Sequence, residues 1–167
     1  DFLQAMQDVT QQNLTQFRLW YSQSGTPELT VSQQYNASLA QLDLHLAQIT
    51  PATADQVDKQ PMLLPVRIEL LFADAPAQQH LLQVTEAKQQ FVFSNVPQQP
   101  VVVWLEHFSA PVKLINNVDD DSLLFIARHA SDGVARWDAM QQFWSRKVAC
   151  QLSAVDSEVV LSPALLQ

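Results

Sequence analysis

The pattern of apolar and polar positions divides the chain into a helical start, a long region of strands and a helical end. In the start, apolar side chains recur at helical spacing: Phe2, Leu3, Met6 and Val9. A second helix is predicted because Asn13 can cap the first free amides and Gln16 can reach back to the cap. Gly25 can close that helix in the left-handed conformation, and Pro27 cannot continue it. The second helix would place three side chains on one face: Leu14, Phe17 and Tyr21.

From Glu28 onward the pattern follows a period of two residues, which is typical of strands with one solvated face. Short strands are predicted over 28–33, 42–46, 66–72, 81–85, 89–93, 101–105 and 112–115. A hairpin over 35–38 joins the first two, and a proline-rich surface connection over 50–65 precedes the third. Strand 101–105 is apolar on both faces, so we expect it to be a central strand. About seven short strands separated by turns predict a mainly β fold, an immunoglobulin-like antiparallel β-sandwich flanked by α-helices at both ends.

After Asn116 the period returns to that of a helix. Acidic side chains at 119–121 favour a helix start there, and Ser131-Asp132-Gly133 interrupts the helix. A second helix is predicted from Val134 to about Cys150, and Ser162-Pro163 is typical of the start of a third. The second helix would place four packing residues on one face: Trp137, Met140, Trp144 and Val148. Such a helix pair has little to pack against, so we expect more protein downstream.

Composition excludes several classes of partner. Asp and Glu number 17 against 9 Lys and Arg, giving a net charge of -8, which repels a phosphate backbone, so no nucleic-acid partner is expected. No polybasic patch, long apolar run or signal-peptide pattern is present, so no membrane partner is expected. The sequence begins at Asp1 inside a helix already under way, which suggests a piece of a longer protein. A single cysteine, Cys150, allows no internal disulfide and fits a cytoplasmic location.

The histidines do not form a zinc-peptidase motif, which needs two of them one helical turn apart with a glutamate between. The four histidines are His45, His80, His107 and His129, and no two lie three or four residues apart. Glu106-His107 comes nearest, but it is in a predicted strand and the helical partner position is Pro111. We therefore interpret all four as surface or interface residues and predict no catalytic, cofactor-binding or metal-binding residue in this chain.

Three further candidates have simpler explanations. Asp119-Asp120-Asp121 lacks the glycine-bearing turn and closing glutamate of a calcium loop, so helix capping is favoured. The four tryptophans could form a carbohydrate platform, but helix and strand periodicity favour packing or a domain interface for Trp104, Trp137 and Trp144. Cys150 has no histidine near it in sequence to activate a thiolate. With only Gly25 and Gly133, no glycine-rich phosphate loop can form.

Four segments carry a resemblance to a known family: Phe17–Pro27, Phe108–Leu114, Arg128–Ala130 and Arg136–Ala139. In this order they resemble the bacterial aminopeptidase N family of zinc metallopeptidases. The resemblance implies that residues 1–27 end a preceding catalytic domain, that 28–117 form the β-sandwich, and that 118–167 begin a helical C-terminal domain. It implies a parent enzyme that removes N-terminal residues from peptides with zinc bound upstream, while this chain alone is inactive and binds no cofactor. Its partners would be its own catalytic and helical domains, with peptide substrates for the parent.

Two other interpretations remain open. An independent immunoglobulin-like module that binds protein or carbohydrate would show clustered aromatic residues on its loops. A spacer inside a larger enzyme would show apolar patches on its helical ends and around 101–105. An autonomous enzyme fits least well, because no catalytic set of residues can be assembled.

Overall fold

The structure, a computed structural model, describes residues 2–153. Four helices are present in this part: α1 (Phe2–Thr10), α2 (Leu19–Ser22), α3 (Asp120–His129) and α4 (Gly133–Ser153). Seven strands lie between them: β1 (Glu28–Asn36), β2 (Gln41–Ile49), β3 (Leu64–Leu71), β4 (Gln78–Val84), β5 (Lys88–Phe93), β6 (Val101–Trp104) and β7 (Lys113–Ile115). A tight turn over Glu106–Phe108 follows β6. The prediction of a strand-rich chain with helices at both ends is confirmed.

The strands form two sheets. The four-stranded sheet has the order β5-β2-β1-β7, and the three-stranded sheet has the order β4-β3-β6. Strands β1 and β2 are antiparallel, with Glu28 opposite Ile49 and Asn36 opposite Gln41, so the predicted hairpin is confirmed with its turn two residues later. Strand β7 is parallel to β1 over three residue pairs, which departs from a purely antiparallel arrangement.

Strand β6 corrects one expectation, because it lies at the edge of its sheet rather than at the centre. Its two middle residues, Val102 and Val103, point to opposite faces of the strand, and both are buried. The run of apolar residues therefore indicates that both faces of β6 are buried. This burial does not require a second neighbouring strand in the sheet.

The second predicted helix is wrong as a continuous element. The chain makes a turn over 15–18 and then the single-turn helix α2. Asn13 Oδ1 accepts a hydrogen bond from the Thr15 amide at 2.9 Å, while Gln16 does not reach back to it. The Gln16 carboxamide donates instead to the carbonyls of Pro61 and Thr85, at 2.9 and 2.6 Å. These distant hydrogen bonds hold the segment as a turn.

The helical end follows the prediction closely within the described residues. Asp119 is the N-cap of α3, since its Oδ1 accepts a hydrogen bond from the Ser122 amide at 2.7 Å. Asp120 pairs with Lys147 at 2.8 Å and with Arg146 at 3.3 Å, which links the start of α3 to α4. The third helix predicted at Ser162-Pro163 lies outside the described residues.

The chain folds into two compact units, and each unit is built from three segments that alternate along the sequence. Within the described residues, one unit comprises 2–67, 81–99 and 108–117, and the other comprises 68–80, 100–107 and 118–153. In the first unit, the inward positions of β1 and β2 are fully or almost fully buried: Leu29, Val31, Leu42, Leu44 and Leu46. In the second, an apolar core joins β3 and β6 to the helix pair through Leu71, Val103, Leu123, Leu124, Ile126, Ala130, Ala139 and Phe143. Phe143 is the largest of these side chains and is 1% exposed.

Candidate functional site

The four histidines do not come together. His45 is exposed on β2, and His129 is exposed at the end of α3 with its ring centroid 4.4 Å from that of Phe125. His107 is largely exposed, and its Nδ1 lies 3.8 Å from Asp132. His80 is half-buried, and burial lowers its pKa. In residues 2–153, no three side chains of the His, Cys, Asp or Glu type lie where they could share a metal ion, so these residues do not fit a zinc centre.

The other candidates from the sequence also separate. Of the three acidic residues at 119–121, Asp119 caps α3 and Asp120 pairs with basic side chains of α4, so these two carboxylates already have partners within the protein. Trp20 donates from Nε1 to the Leu63 carbonyl at 3.0 Å. Cys150 is an exposed free thiol on α4.

One face of α4 carries apolar side chains that the described residues leave exposed. Trp137 is 62% exposed, Trp144 is 43% exposed and Leu152 is 79% exposed. With Val134 and Val148 they recur at helical intervals, and we call these five residues the α4 stripe. Of the two uses predicted for Trp137 and Trp144, core packing is not seen within the described residues, because the buried side of α4 is formed by Ala139 and Phe143. Use of the stripe at a domain interface stays a prediction.

The second unit contains a cluster of acidic side chains that the sequence did not predict. Glu69 on β3 is 2% exposed, Glu106 after β6 is 0% exposed, and Asp132 between α3 and α4 is 7% exposed. We call these three residues the carboxylate cluster. Ser131 links two of them, since its amide donates to Glu69 Oε2 at 2.9 Å and its hydroxyl donates to Glu106 Oε1 at 3.1 Å. Gln79 on β4 donates to the same Glu106 oxygen at 3.3 Å.

The third member of the carboxylate cluster fixes the start of α4. Asp132 Oδ1 accepts from the Val134 amide at 3.1 Å, and its Oδ2 accepts from the His107 amide at 3.0 Å. Burial acts to raise the pKa of Asp132, but these two hydrogen bonds and the nearby His107 ring outweigh it, so the pKa lies below its ordinary value. Two sequence signals could have found this site: an aspartate directly before a helix, and Glu69 inside an apolar strand.

The first unit holds its long connection mainly with carboxamides, and the Asp55 carboxylate adds a hydrogen bond from the Ser24 hydroxyl at 3.1 Å. Gln48 donates to the Met62 carbonyl and accepts from the Met62 amide, both at 2.8 Å. Gln23 does the same to Gln60, at 3.0 and 2.8 Å. Lys59 donates to the Ser24 carbonyl and the Thr53 hydroxyl, each at 2.8 Å. This connection is therefore held in place by side chains, although its sequence predicted only an irregular surface segment.

Comparison with known proteins identifies the family. Residues 25–117 match the family described as a domain of unknown function (DUF3458) with an Ig-like fold. This match covers more than half of the chain, so the chain belongs to that family, and the predicted immunoglobulin-like fold is confirmed. Aminopeptidase A of Legionella pneumophila, solved in complex with aspartic acid, has a similar fold, with a TM-score of 0.82 and 23% identity over 98% of this chain and 18% of that chain.

Relatives at higher identity share one name. Aminopeptidase N of Escherichia coli (strain K12) is 47% identical over 150 residues, which cover 84% of this chain and 17% of that protein. Aminopeptidase N of Haemophilus influenzae (strain ATCC 51907 / DSM 11121 / KW20 / Rd) is 38% identical over 157 residues, which cover 89% and 18%. The predicted resemblance to aminopeptidase N is confirmed, and the chain spans less than a fifth of the length of these relatives.

No helix in the described part of the chain combines the length and the apolar character that a membrane span requires.

Proposed function

We propose that this chain is a non-catalytic region of a zinc-dependent, cytoplasmic aminopeptidase that removes N-terminal residues from peptides. Its role is to hold a helical domain in position relative to the catalytic domain. The similarity to two proteins named aminopeptidase N, over most of this chain, supports the enzyme class. Because residues 2–153 do not fit a zinc centre, the proposal assigns the metal and the catalytic residues to the rest of the protein.

The observation that carries the structural role is the α4 stripe. Fully burying an apolar side chain of the size of Val, Leu or larger stabilises a complex by about 1.5–3 kcal/mol. Covering the five exposed side chains of the α4 stripe would therefore contribute substantially to binding. A helix with one packed apolar side and one exposed apolar side is typical of the boundary between two packed layers. The helical domain of the same protein would cover the stripe, and its peptide substrates would bind elsewhere.

The distribution of exposed aromatic residues also favours this proposal over an independent binding module. Phe2 lies on α1, Tyr21 on α2, and Trp137 and Trp144 on α4, so these exposed rings are on helices. Phe108, which is 76% exposed, lies in a turn. A loop-based recognition surface for protein or carbohydrate would concentrate such rings on neighbouring loops.

The enzyme class is tested on the full-length protein with alanyl and arginyl amides, before and after treatment with a chelator. We expect cleavage that the chelator abolishes and that added zinc restores. If cleavage is absent even with zinc supplied, the aminopeptidase proposal fails, and the independent binding module becomes the better explanation.

The structural role is tested separately with the double variant Trp137→Gln/Trp144→Gln in the full-length protein. If the stripe is covered, we expect the midpoint of thermal unfolding to fall and limited proteolysis near α4 to accelerate, because buried apolar area is lost. Leu39→Gln is the matched control, since Leu39 is 65% exposed in the turn between β1 and β2. If the double variant behaves like the control, the stripe is not an interface.

A further inference from the structure

Glu106 is a fully buried acid with one oxygen that lacks a partner in the described part of the chain. Oε1 accepts hydrogen bonds from Ser131 and Gln79, at 3.1 and 3.3 Å. Oε2 has no hydrogen-bond partner among residues 2–153 and is out of reach of solvent. An ionised carboxylate distributes its charge over both oxygens, so burying one of them without a donor is unfavourable. A protonated acid carries no charge, which removes most of that cost.

The surroundings of Glu106 make ionisation still less favourable. The charged groups that act on it are Glu69 from β3, Asp132 from the turn between α3 and α4, and the neighbouring His107, while β4 contributes the uncharged Gln79. Burial is the main cause that raises the pKa of Glu106. The two neighbouring carboxylates add to the rise, and the Ser131 hydroxyl and His107 oppose it.

The backbone around Glu106 is also held in an uncommon conformation. Leu105 and His107, on its two sides, have φ of 59° and 53°, in the left-handed region that residues other than glycine rarely adopt. Such a conformation persists only when the surrounding contacts fix it, and it is enriched at functional and switch regions. One contact that holds this backbone belongs to the carboxylate cluster, because the His107 amide donates to Asp132 Oδ2 at 3.0 Å.

We propose that Glu106 is a proton-binding site whose ionisation loosens the attachment of the α3–α4 turn to the strands of its own unit. The proton resides on Oε2, and Oε1 keeps its hydrogen bonds to Ser131 and Gln79. When Glu106 loses the proton, a third negative charge appears beside Glu69 and Asp132 while Oε2 stays buried without a donor. The repulsion and the loss of hydration then outweigh the stronger hydrogen bond from the Ser131 hydroxyl. This proposal goes beyond the structural role, because it makes the attachment of the α3–α4 turn to the strands of its unit depend on pH.

The direction of the effect follows from linkage. A carboxyl whose pKa is higher in the folded than in the unfolded protein stabilises the fold at low pH, and that stabilisation is lost as the pH rises through the folded pKa. The window therefore begins near 4.5, the ordinary value of a glutamate pKa, and extends upward. Within it, the equilibrium constant for local opening increases by up to about tenfold per pH unit.

The test is hydrogen exchange by mass spectrometry on the full-length protein between pH 5 and pH 8.5, with rates corrected for intrinsic exchange. Peptides over 101–108 and 129–136 report the opening of the cluster. In the unmodified protein we expect the opening constant to rise with pH. In Glu106→Gln, whose neutral carboxamide mimics the protonated acid, we expect an opening constant that does not change with pH and is lower than that of the unmodified protein at pH 8.

Two further variants keep the proposal open to refutation. Glu69→Gln removes one negative charge that raises the pKa of Glu106. We therefore expect the opening constant to rise less with pH in this variant and to level off at a lower pH. Glu86→Gln changes an exposed glutamate of the other unit and should match the unmodified protein. The proposal is overturned if the unmodified protein shows no pH dependence, if Glu86→Gln alters it, or if Glu106→Gln leaves these peptides unprotected at every pH. It is also overturned if Glu69→Gln shows the same rise as the unmodified protein.

Discussion

The two compact units hold their irregular backbone with different chemistry. In the first unit, one carboxamide both donates to and accepts from a single backbone residue, as Gln48 does with Met62 and Gln23 with Gln60. In the second, the carboxylates of Glu69, Glu106 and Asp132 act as acceptors for amide and hydroxyl donors around the α3–α4 turn. An amide stays neutral at every ordinary pH, whereas a carboxylate changes charge. Both arrangements pair buried backbone groups with side chains, but the second uses groups whose charge changes with pH and leaves Glu106 Oε2 without a donor among residues 2–153.

The largest loss of stability is expected when a carboxamide of the first unit is replaced by a carboxyl group, the kind of side chain that the second unit uses. Gln48→Glu places a carboxyl against Met62, with the side chain 6% exposed in the present protein. When protonated, this acid can still donate to the Met62 carbonyl, but when ionised it cannot. Burial raises its pKa, so stability is retained at low pH and lost as the pH rises. We expect a loss of about 4 kcal/mol in the opening free energy at pH 8, the usual cost of an uncompensated buried charge.

Hydrogen exchange of peptides over 60–64 at pH 5 and pH 8 measures this loss. The control is Gln90→Glu, which introduces the same charge at an exposed position of β5 and should leave those peptides unchanged. Equal protection of Gln48→Glu at both pH values would show that the Gln48 amide protons contribute little to holding the connection.

A smaller effect, which does not depend on pH, is expected where a glycine supports the first network. Gly25 has a φ of +94°, and a Cβ added there would lie 3.3 Å from methyl groups of Thr50 and Thr53. Gly25→Ala should lower the free energy of unfolding by about 1–2 kcal/mol, the usual penalty for an L-residue in the left-handed conformation. The methyl groups of the two threonines must also move to make room for the added Cβ. Gly133 offers a matched control in the other unit, since an added Cβ there meets nothing within 4 Å.

Urea denaturation at pH 7 separates these two variants. Gly133→Ala should be neutral or slightly stabilising, because alanine restricts the unfolded chain more than glycine does. If both glycine variants lose the same stability, backbone conformation at Gly25 does not explain its effect.

The features that the sequence predicted correctly are those set by short-range physics. Alternation in β1 and β2 and the aspartate at position 119 each depend on residues that are close in the chain, so the hairpin and the cap of α3 could be derived from them. The helix expected around Gln16 failed because its carboxamide bonds to Thr85, which is 69 positions away. A propensity argument has no access to such a partner.

The carboxylate cluster was missed for a related reason. Glu69, Glu106 and Ser131 are far apart in the sequence, and only the pairing of β3 with β6 and the return of the chain after α3 bring them together. The α4 stripe, in contrast, was visible as a periodic pattern. Its exposure could not be foreseen, because the same pattern describes a core helix until the neighbouring elements are known.

The smallest effect tests whether the carboxylates of the second unit act in opposite directions with pH. Asp132 has a pKa below its ordinary value of 3.8, so its contribution is present above that value and is lost as the pH falls through the folded pKa. Glu106 has the opposite sign. Asp132→Asn keeps an N-cap oxygen for α4 but replaces the oxygen that accepts from the His107 amide with an NH2 group, so it should cost about 1 kcal/mol at pH 7. Urea denaturation at pH 7 and pH 3 should show a smaller loss on acidification in Asp132→Asn than in the unmodified protein. If the two lose stability equally on acidification, the acid sensitivity of this unit arises from groups other than Asp132.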